Sequence, residues 1–324
     1  MIHEKQIQEH LRAREEELSA CTPNLLQEFP VEVYVQAIKS VPPIYNYDYV
    51  RKKFHKVLEN IGSSYGLHAL ALYQKLVLTW LIKLSYELLP QQRFPREIKR
   101  LYGQWFERVF GDFSKQPDEY YDHRNDSFLK DLGVCSLRAV PVGGAWIVEV
   151  SLSRESTPNT NGTKKTNRFI RSFIRRIGLK KLFRYALFKM GFMKFYYLMH
   201  TVDRYLPRFT PEEMTKSYLR IADLMRADLR IKGIYRSAWF LDPQLENISP
   251  HLSYLRIIPE QNGAKVYRIR TRQSDIDNAI ALSPLRRKLY GEGKYKPVCY
   301  AMFWPRAELL FWARKQRKRH KIGT

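Results

Sequence analysis

The 324-residue sequence has only three cysteines, Cys21, Cys135 and Cys299, far apart and without Cys-x-x-Cys spacing. That argues against a disulfide framework and a cysteine-based zinc site, and it predicts a reducing compartment. The eight histidines form no HxxxH, HExxH or two-histidine–carboxylate pattern, so no metal is expected. Gly-x-Gly-x-x-Gly, the phosphate-loop pattern and Gly-x-Ser-x-Gly do not occur, which removes the common nucleotide-binding and hydrolase readings. Long apolar runs are missing too. The most apolar stretch, residues 66–89, is interrupted by His68, Lys75, Lys83 and Glu87, so it predicts a buried helix rather than a membrane span. The opening residues MIHEKQIQEHLRAREEELSA read as a charged amphipathic helix, not a signal peptide. No internal repeat is visible.

Charge is abundant but one-sided. Lys and Arg number 56 against 32 Asp and Glu, a net +24. Residues 1–160 are balanced, and the whole excess lies beyond residue 160. Such a field attracts phosphates, nucleic acid or anionic lipid head groups without choosing among them. Hydrophobic content of 44% and aromatic content of 14% fit a folded chain with a sizeable core.

Periodicity predicts helices over 4–20, 45–60, 66–89 and 94–110, then an acidic loop over 112–126. In that loop Tyr120-Tyr121-Asp122-His123 reads as solvated surface. LGVCSLRAV and AWIVEVSLS, around Pro141 to Gly144, predict a β-hairpin. Residues 156–167 are turn-forming and polar. Residues 168–195 read as a helix of alternating basic and apolar positions. Thr210-Pro211-Glu212-Glu213 is a helix start with its cap, N1 proline and early acids in place. Residues 231–241 read as a buried strand, Ser249-Pro250 as the start of a short helix, and 264–271 as a strand. Ser274 to about Tyr290 reads as one helix, 297–304 as a last strand, followed by a helix and the basic tail 314–321. The order predicts an α/β or α+β fold, a mixed sheet with flanking helices, preceded by a helical N-terminal region. The expected divisions are 1–126, 127–313 and a basic tail 314–324.

The segment LSPLRRKLYGEGKYKP (282–297) runs from a helix through tyrosine and glycine towards a strand. This ending resembles the C-terminal portion of the GCN5-related N-acetyltransferases over roughly residues 231–304. The resemblance implies an acyl-CoA donor and a tyrosine, here Tyr290, that protonates the departing thiolate. It also implies cations near the phosphates, here Arg286 and Arg287. The family's glycine-rich pyrophosphate loop after the central strand has no counterpart, because DPQLENISPHLSYLR contains no glycine. The helix start at Ser249 is the expected substitute, through free N–H groups and dipole. YLRIADLM, SAWFLDPQLENISPHLSYLR and LRRKLYGEGKYKP together also resemble a conserved bacterial family of uncharacterised activity, which implies shared fold and no particular reaction.

Two histidines are candidates for general base, His200 and His251, with Asp203 or Asp242 to orient them. Residues 161–195 hold eleven basic side chains and no acidic one. Arg171, Arg175, Arg176, Lys180 and Lys181 within them suit an anionic membrane surface or nucleic acid, or form the solvated face of a core-packing helix. The expected setting is cytoplasmic, with peripheral attachment at the inner membrane surface if lipid is the partner.

Overall fold

A computed structural model describes residues 3–41, 47–143, 145–153, 194–202 and 209–322. The N-terminal helices are α1 (Glu4–Cys21), α2 (Val31–Ser40), α3 (Tyr47–Leu88), α4 (Arg96–Asp112) and α5 (Asp126–Cys135). Each buries the stripe that its sequence supplies: Val31, Tyr34, Val35 and Ile38 in α2, and Ile98, Tyr102, Trp105, Phe106 and Val109 in α4. Helix α3 joins the two helices expected over 45–60 and 66–89, bent at Gly66, whose φ of 86° lies outside helical space. Beyond the bend, Ala69 to Tyr73 and Leu76 to Leu78 are buried almost all round, which makes this the central helix.

Six strands follow: β1 (Ala139–Gly143), β2 (Trp146–Ser153), β3 (Lys194–Thr201), β4 (Ile231–Ala238), β5 (Lys265–Arg268) and β6 (Tyr300–Pro305). They form one mixed sheet in the order β1-β2-β3-β4-β6-β5. Every neighbouring pair is antiparallel except β3 and β4, which run parallel. A parallel pair needs a crossover, and α6 (Pro211–Ala227) lies within it, started by the Thr210 cap that the sequence announces. Helices α7 (Tyr254–Gln261), α8 (Gln273–Ala281), α9 (Pro284–Gly291) and α10 (Arg306–Ile322) complete the described chain. The fold is mixed α/β with a helical region ahead of the strands. One hydrophobic cluster runs from α1 through the sheet to α10. The helical region is also tied to the sheet by Tyr102 Oη donating to the Ala139 carbonyl at 2.9 Å and by Arg220 meeting Glu97 at 2.6 Å.

Several expectations need correction. Only the last two residues of the expected LGVCSLRAV strand are strand: α5, capped by Asn125, runs to Cys135, a turn follows, and β1 begins at Ala139. The helix expected from Ser274 to Tyr290 is two, because Pro284 lacks the N–H to continue the first and Ser283 caps the second. The basic tail is not a separate end; α10 continues through it to Ile322, and Arg317 bonds Asp223 at 2.8 Å. Tyr120, Tyr121 and His123 are buried rather than solvated, and burial lowers the His123 pKa. The strand β3 was not anticipated at all. Apolar side chains on both of its faces leave no polar alternation to reveal it.

Gly233 in β4 has a fixed reason to be glycine. A Cβ there would meet the Trp304 carbonyl oxygen of β6 at 2.4 Å. Gly233→Ala is expected to lower unfolding stability by about 1–3 kcal/mol in urea titrations. Gly111→Ala, on an exposed helical position with nothing within 4 Å, is expected to raise it by about 0.5–1 kcal/mol.

Candidate functional site

The parallel pair β3–β4 sets the site. Its register runs Phe195↔Ile231, Tyr197↔Ile234 and Leu198↔Tyr235, with a bulge in the first interval. Both strands continue, to Thr201 and Ala238, yet beyond Leu198↔Tyr235 no further β3–β4 pair forms among the described residues. The carboxyl ends of the two strands are therefore not paired with each other, and this gap in the ladder is the fork. Open sheets bind ligands at such strand ends, where the direction of pairing changes.

On one face of the fork stands His200. Glu149 of β2 lies opposite Leu198, so period two brings Glu149 and His200 to the same face as diagonal neighbours. His200 Nε2 lies 2.6 Å from Glu149 Oε1, and the Glu149 side chain is 1% exposed against 20% for His200. A carboxylate only accepts, so Nε2 carries the proton of this bond. The second oxygen, Oε2, has no hydrogen-bond partner among the described residues. Arg138 adds positive potential, and its guanidinium is itself tied to the Ile38 carbonyl at 2.7 Å. An imidazole held in one orientation by a buried carboxylate is the arrangement of a general base.

The opposite face carries Arg236 of β4, 1% exposed. Its guanidinium lies 3.8 Å from the Trp146 centroid and 4.1 Å from that of Phe240, two rings inclined at 72° to each other. Nη2 rests 3.5 Å from Thr201 Oγ1 across the fork. No carboxylate pairs with it among the described residues; the Tyr218 phenol is its hydrogen-bonding neighbour, and Nη1 makes no closer bond among the described residues. Burial pushes its pKa down to about 10, so it remains cationic at neutral pH. Each desolvated cation–ring contact contributes about 2 kcal/mol, which offsets only part of the cost of burying the charge. Tyr218 of α6 and Tyr254 of α7 lie within its field, and burial raises both phenols.

The residues expected from sequence are distributed as follows. Arg286 and Ser249 come together, Nη1 donating to Oγ at 2.9 Å, but both are buried in packing. Arg286 also donates through Nε to the Ala279 carbonyl at 2.5 Å and stacks 4.7 Å over Trp239. Arg287 is exposed and donates to the Ala281 carbonyl at 2.6 Å. Both arginines thus cover the carbonyl end of α8, where a helix dipole favours positive charge. Ser249 begins only a three-residue 3-10 turn, Pro250–Leu252, too short for the expected dipole site. His251 is exposed on that turn. Tyr290 is 37% exposed near the end of α9, and no described contact links it to either histidine. Asp242 does not orient a histidine; its carboxylate accepts from the Gln244 and Val298 backbone N–H groups, each at 3.1 Å. Asp203, Arg171, Arg175, Arg176, Lys180 and Lys181 lie outside the described residues.

Glu149 and Arg236 escaped the sequence reading. The signal was present in each case: Glu149 is the one charged residue in WIVEVSLS, and Arg236 the one cation inside GIYRSAWF. Among the described residues no three metal-ligating side chains converge, and no helix is long and apolar enough to cross a membrane. Comparison with known proteins finds no matching family model, no similar curated protein and no similar solved structure.

The buried Glu149 makes a stability prediction. His200→Ala leaves its carboxylate without the imidazole and is expected to cost about 3 kcal/mol. The double change His200→Ala with Glu149→Leu is expected to recover much of that loss, measured by chemical denaturation.

Proposed function

We propose that the protein is a GNAT-like acyltransferase whose reaction takes place at the β3–β4 fork. The observation that carries this reading is the His200–Glu149 pair at the open end of the parallel strands. In this reading His200 Nδ1 takes a proton from the acceptor's amine or hydroxyl as it attacks the thioester carbonyl. Glu149 holds the ring and stabilises the imidazolium. The acceptor–carbonyl bond forms, the C–S bond breaks, and the Tyr290 phenol supplies the proton to the CoA thiolate. Acyl-CoA is the donor, and its phosphates meet exposed cations such as Arg287. Arg286 and Ser249 serve less directly, since each already satisfies the other. His251 remains a second candidate base. The site needs no resident metal in this mechanism.

Calorimetry with acetyl-CoA and longer acyl-CoA, followed by turnover with amine acceptors, tests the reading. His200→Ala is expected to lower kcat by about 100-fold or more with little change in KM, and Tyr290→Phe to slow thiolate release while leaving CoA binding intact. No binding at millimolar acyl-CoA would sink it.

One observation favours a second reading. The eleven uncompensated cations of residues 161–195 suit a non-enzymatic protein that binds an anionic surface, cytoplasmic and peripheral at the inner membrane if that surface is lipid. Neutralising Arg171, Arg175, Arg176, Lys180 and Lys181 is then expected to abolish flotation with anionic vesicles or retention of an oligonucleotide at low salt, while sparing CoA binding.

A further inference from the structure

Helix α10 (Arg306–Ile322) is fixed to the fold along one side. Leu309, Trp312 and Ala313 are buried, and the Trp312 ring packs edge-on against Tyr218 of α6 and beside Trp304 of β6. Arg317, at the flank, is held to Asp223 of α6 at 2.8 Å. The opposite side carries Phe311, Arg314, Lys315 and Lys318, all exposed. Neighbours at three, four and seven residues share one helix face, and exposed Arg319 borders it.

Acids do not balance this face from within the helix. Glu308 is the sole acid of α10, and it stands in the first turn, against Gly263. Asp223 is shared between Arg226 and Arg317. The helix dipole accounts for cations in the last turn, such as Lys318 and Arg319. Arg314 and Lys315 stand about two turns before the end, where that effect has faded. Phe311 has still less reason to be there as solvated surface. It is 52% exposed in the midst of the cations, with Lys315 Nζ 4.5 Å from its ring centroid.

The composition of the face selects among polyanions. Nucleic acid is read through base edges or held by several stacked rings, and this face offers one ring and no amide or hydroxyl side chain. An anionic bilayer is a plane with an apolar layer beneath its charges. Cations fanned around a central ring reach such head groups together while the ring enters the boundary below them. We propose that the outward face of α10 docks on an anionic lipid surface, with Phe311 entering the head-group region and Arg314, Lys315, Lys318 and Arg319 meeting the lipid charges. The proposal goes beyond both readings of the function, because it requires neither acyl-CoA nor residues 161–195.

Flotation of the full chain tests it, with vesicles of mixed phosphatidylserine and phosphatidylcholine against vesicles of phosphatidylcholine alone. Only the anionic vesicles are expected to carry the protein. Arg314→Gln with Lys318→Gln is expected to weaken partitioning about 25-fold, about fivefold for each charge, and Phe311→Ser about fivefold. All three side chains are exposed, so folding is spared, which circular dichroism checks. Lys56→Gln with Lys115→Gln removes the same charge from exposed positions of the helical N-terminal region and is expected to change partitioning less than about twofold. The docking face is overturned if phosphatidylcholine alone carries the protein as well, or if the α10 variants float like the wild type. It is equally overturned if the Lys56 and Lys115 pair weakens flotation as much, or if an oligonucleotide at matched phosphate concentration strips the protein from the vesicles. The transferase reading is decided separately, by acyl-CoA binding.

Discussion

The one parallel contact in an otherwise antiparallel sheet, between β3 and β4, governs the rest of this structure. Parallel neighbours cannot be joined by a tight turn, so α6 must cross over, and it brings Tyr218 against the sheet. Parallel neighbours also end on the same side. When their pairing stops at Leu198↔Tyr235, two strand ends, each still paired on its outer side, are left facing the same way. An antiparallel pair would have placed one beginning and one end there. The fork is thus a consequence of topology, and His200, Thr201 and Arg236 gain their positions from it.

Two buried charges of opposite sign then divide the site between the faces of the sheet. Glu149 is compensated by the His200 imidazole, a pairing that also fixes the ring. Arg236 is compensated by the Trp146 and Phe240 rings and by the Tyr218 phenol beside it. The first arrangement suits proton transfer; in the second a cation is held among rings and a phenol. Neither charge is needed to hold the sheet together, since an apolar residue of similar volume would pack there at less electrostatic cost. Their presence in a dry core is a stronger functional pointer than any exposed cation in this basic chain.

Sequence patterns revealed those elements whose local chemistry is self-sufficient. The Thr210-Pro211 start and the turn of the β1–β2 hairpin follow from a cap and turn residues, whereas Gly66 read as a break between two helices that the structure joins with a bend. The class of fold was legible for the same reason. The site was less so. His200 was recognisable as a candidate, but its partner lies 51 residues away and is joined to it only by strand register. Strand β3 itself is apolar on both faces and follows a basic, helix-like segment, so neither period nor polarity marks it. Ser249 and Arg286 show the converse. Their chemistry suggested phosphate binding, while the fold uses it to close the end of α8.

The most direct measurement of the central claim is amide hydrogen exchange across residues 199–202 and 236–240, with and without saturating acetyl-CoA. Each strand end is paired on its outer side, β3 with β2 and β4 with β6, so only the amides that face the fork should exchange readily in the free protein, and a ligand seated there should slow them by about tenfold or more. The account predicts that protection centres on these two short stretches. Unchanged exchange there, or protection confined to the N-terminal helices, would contradict it.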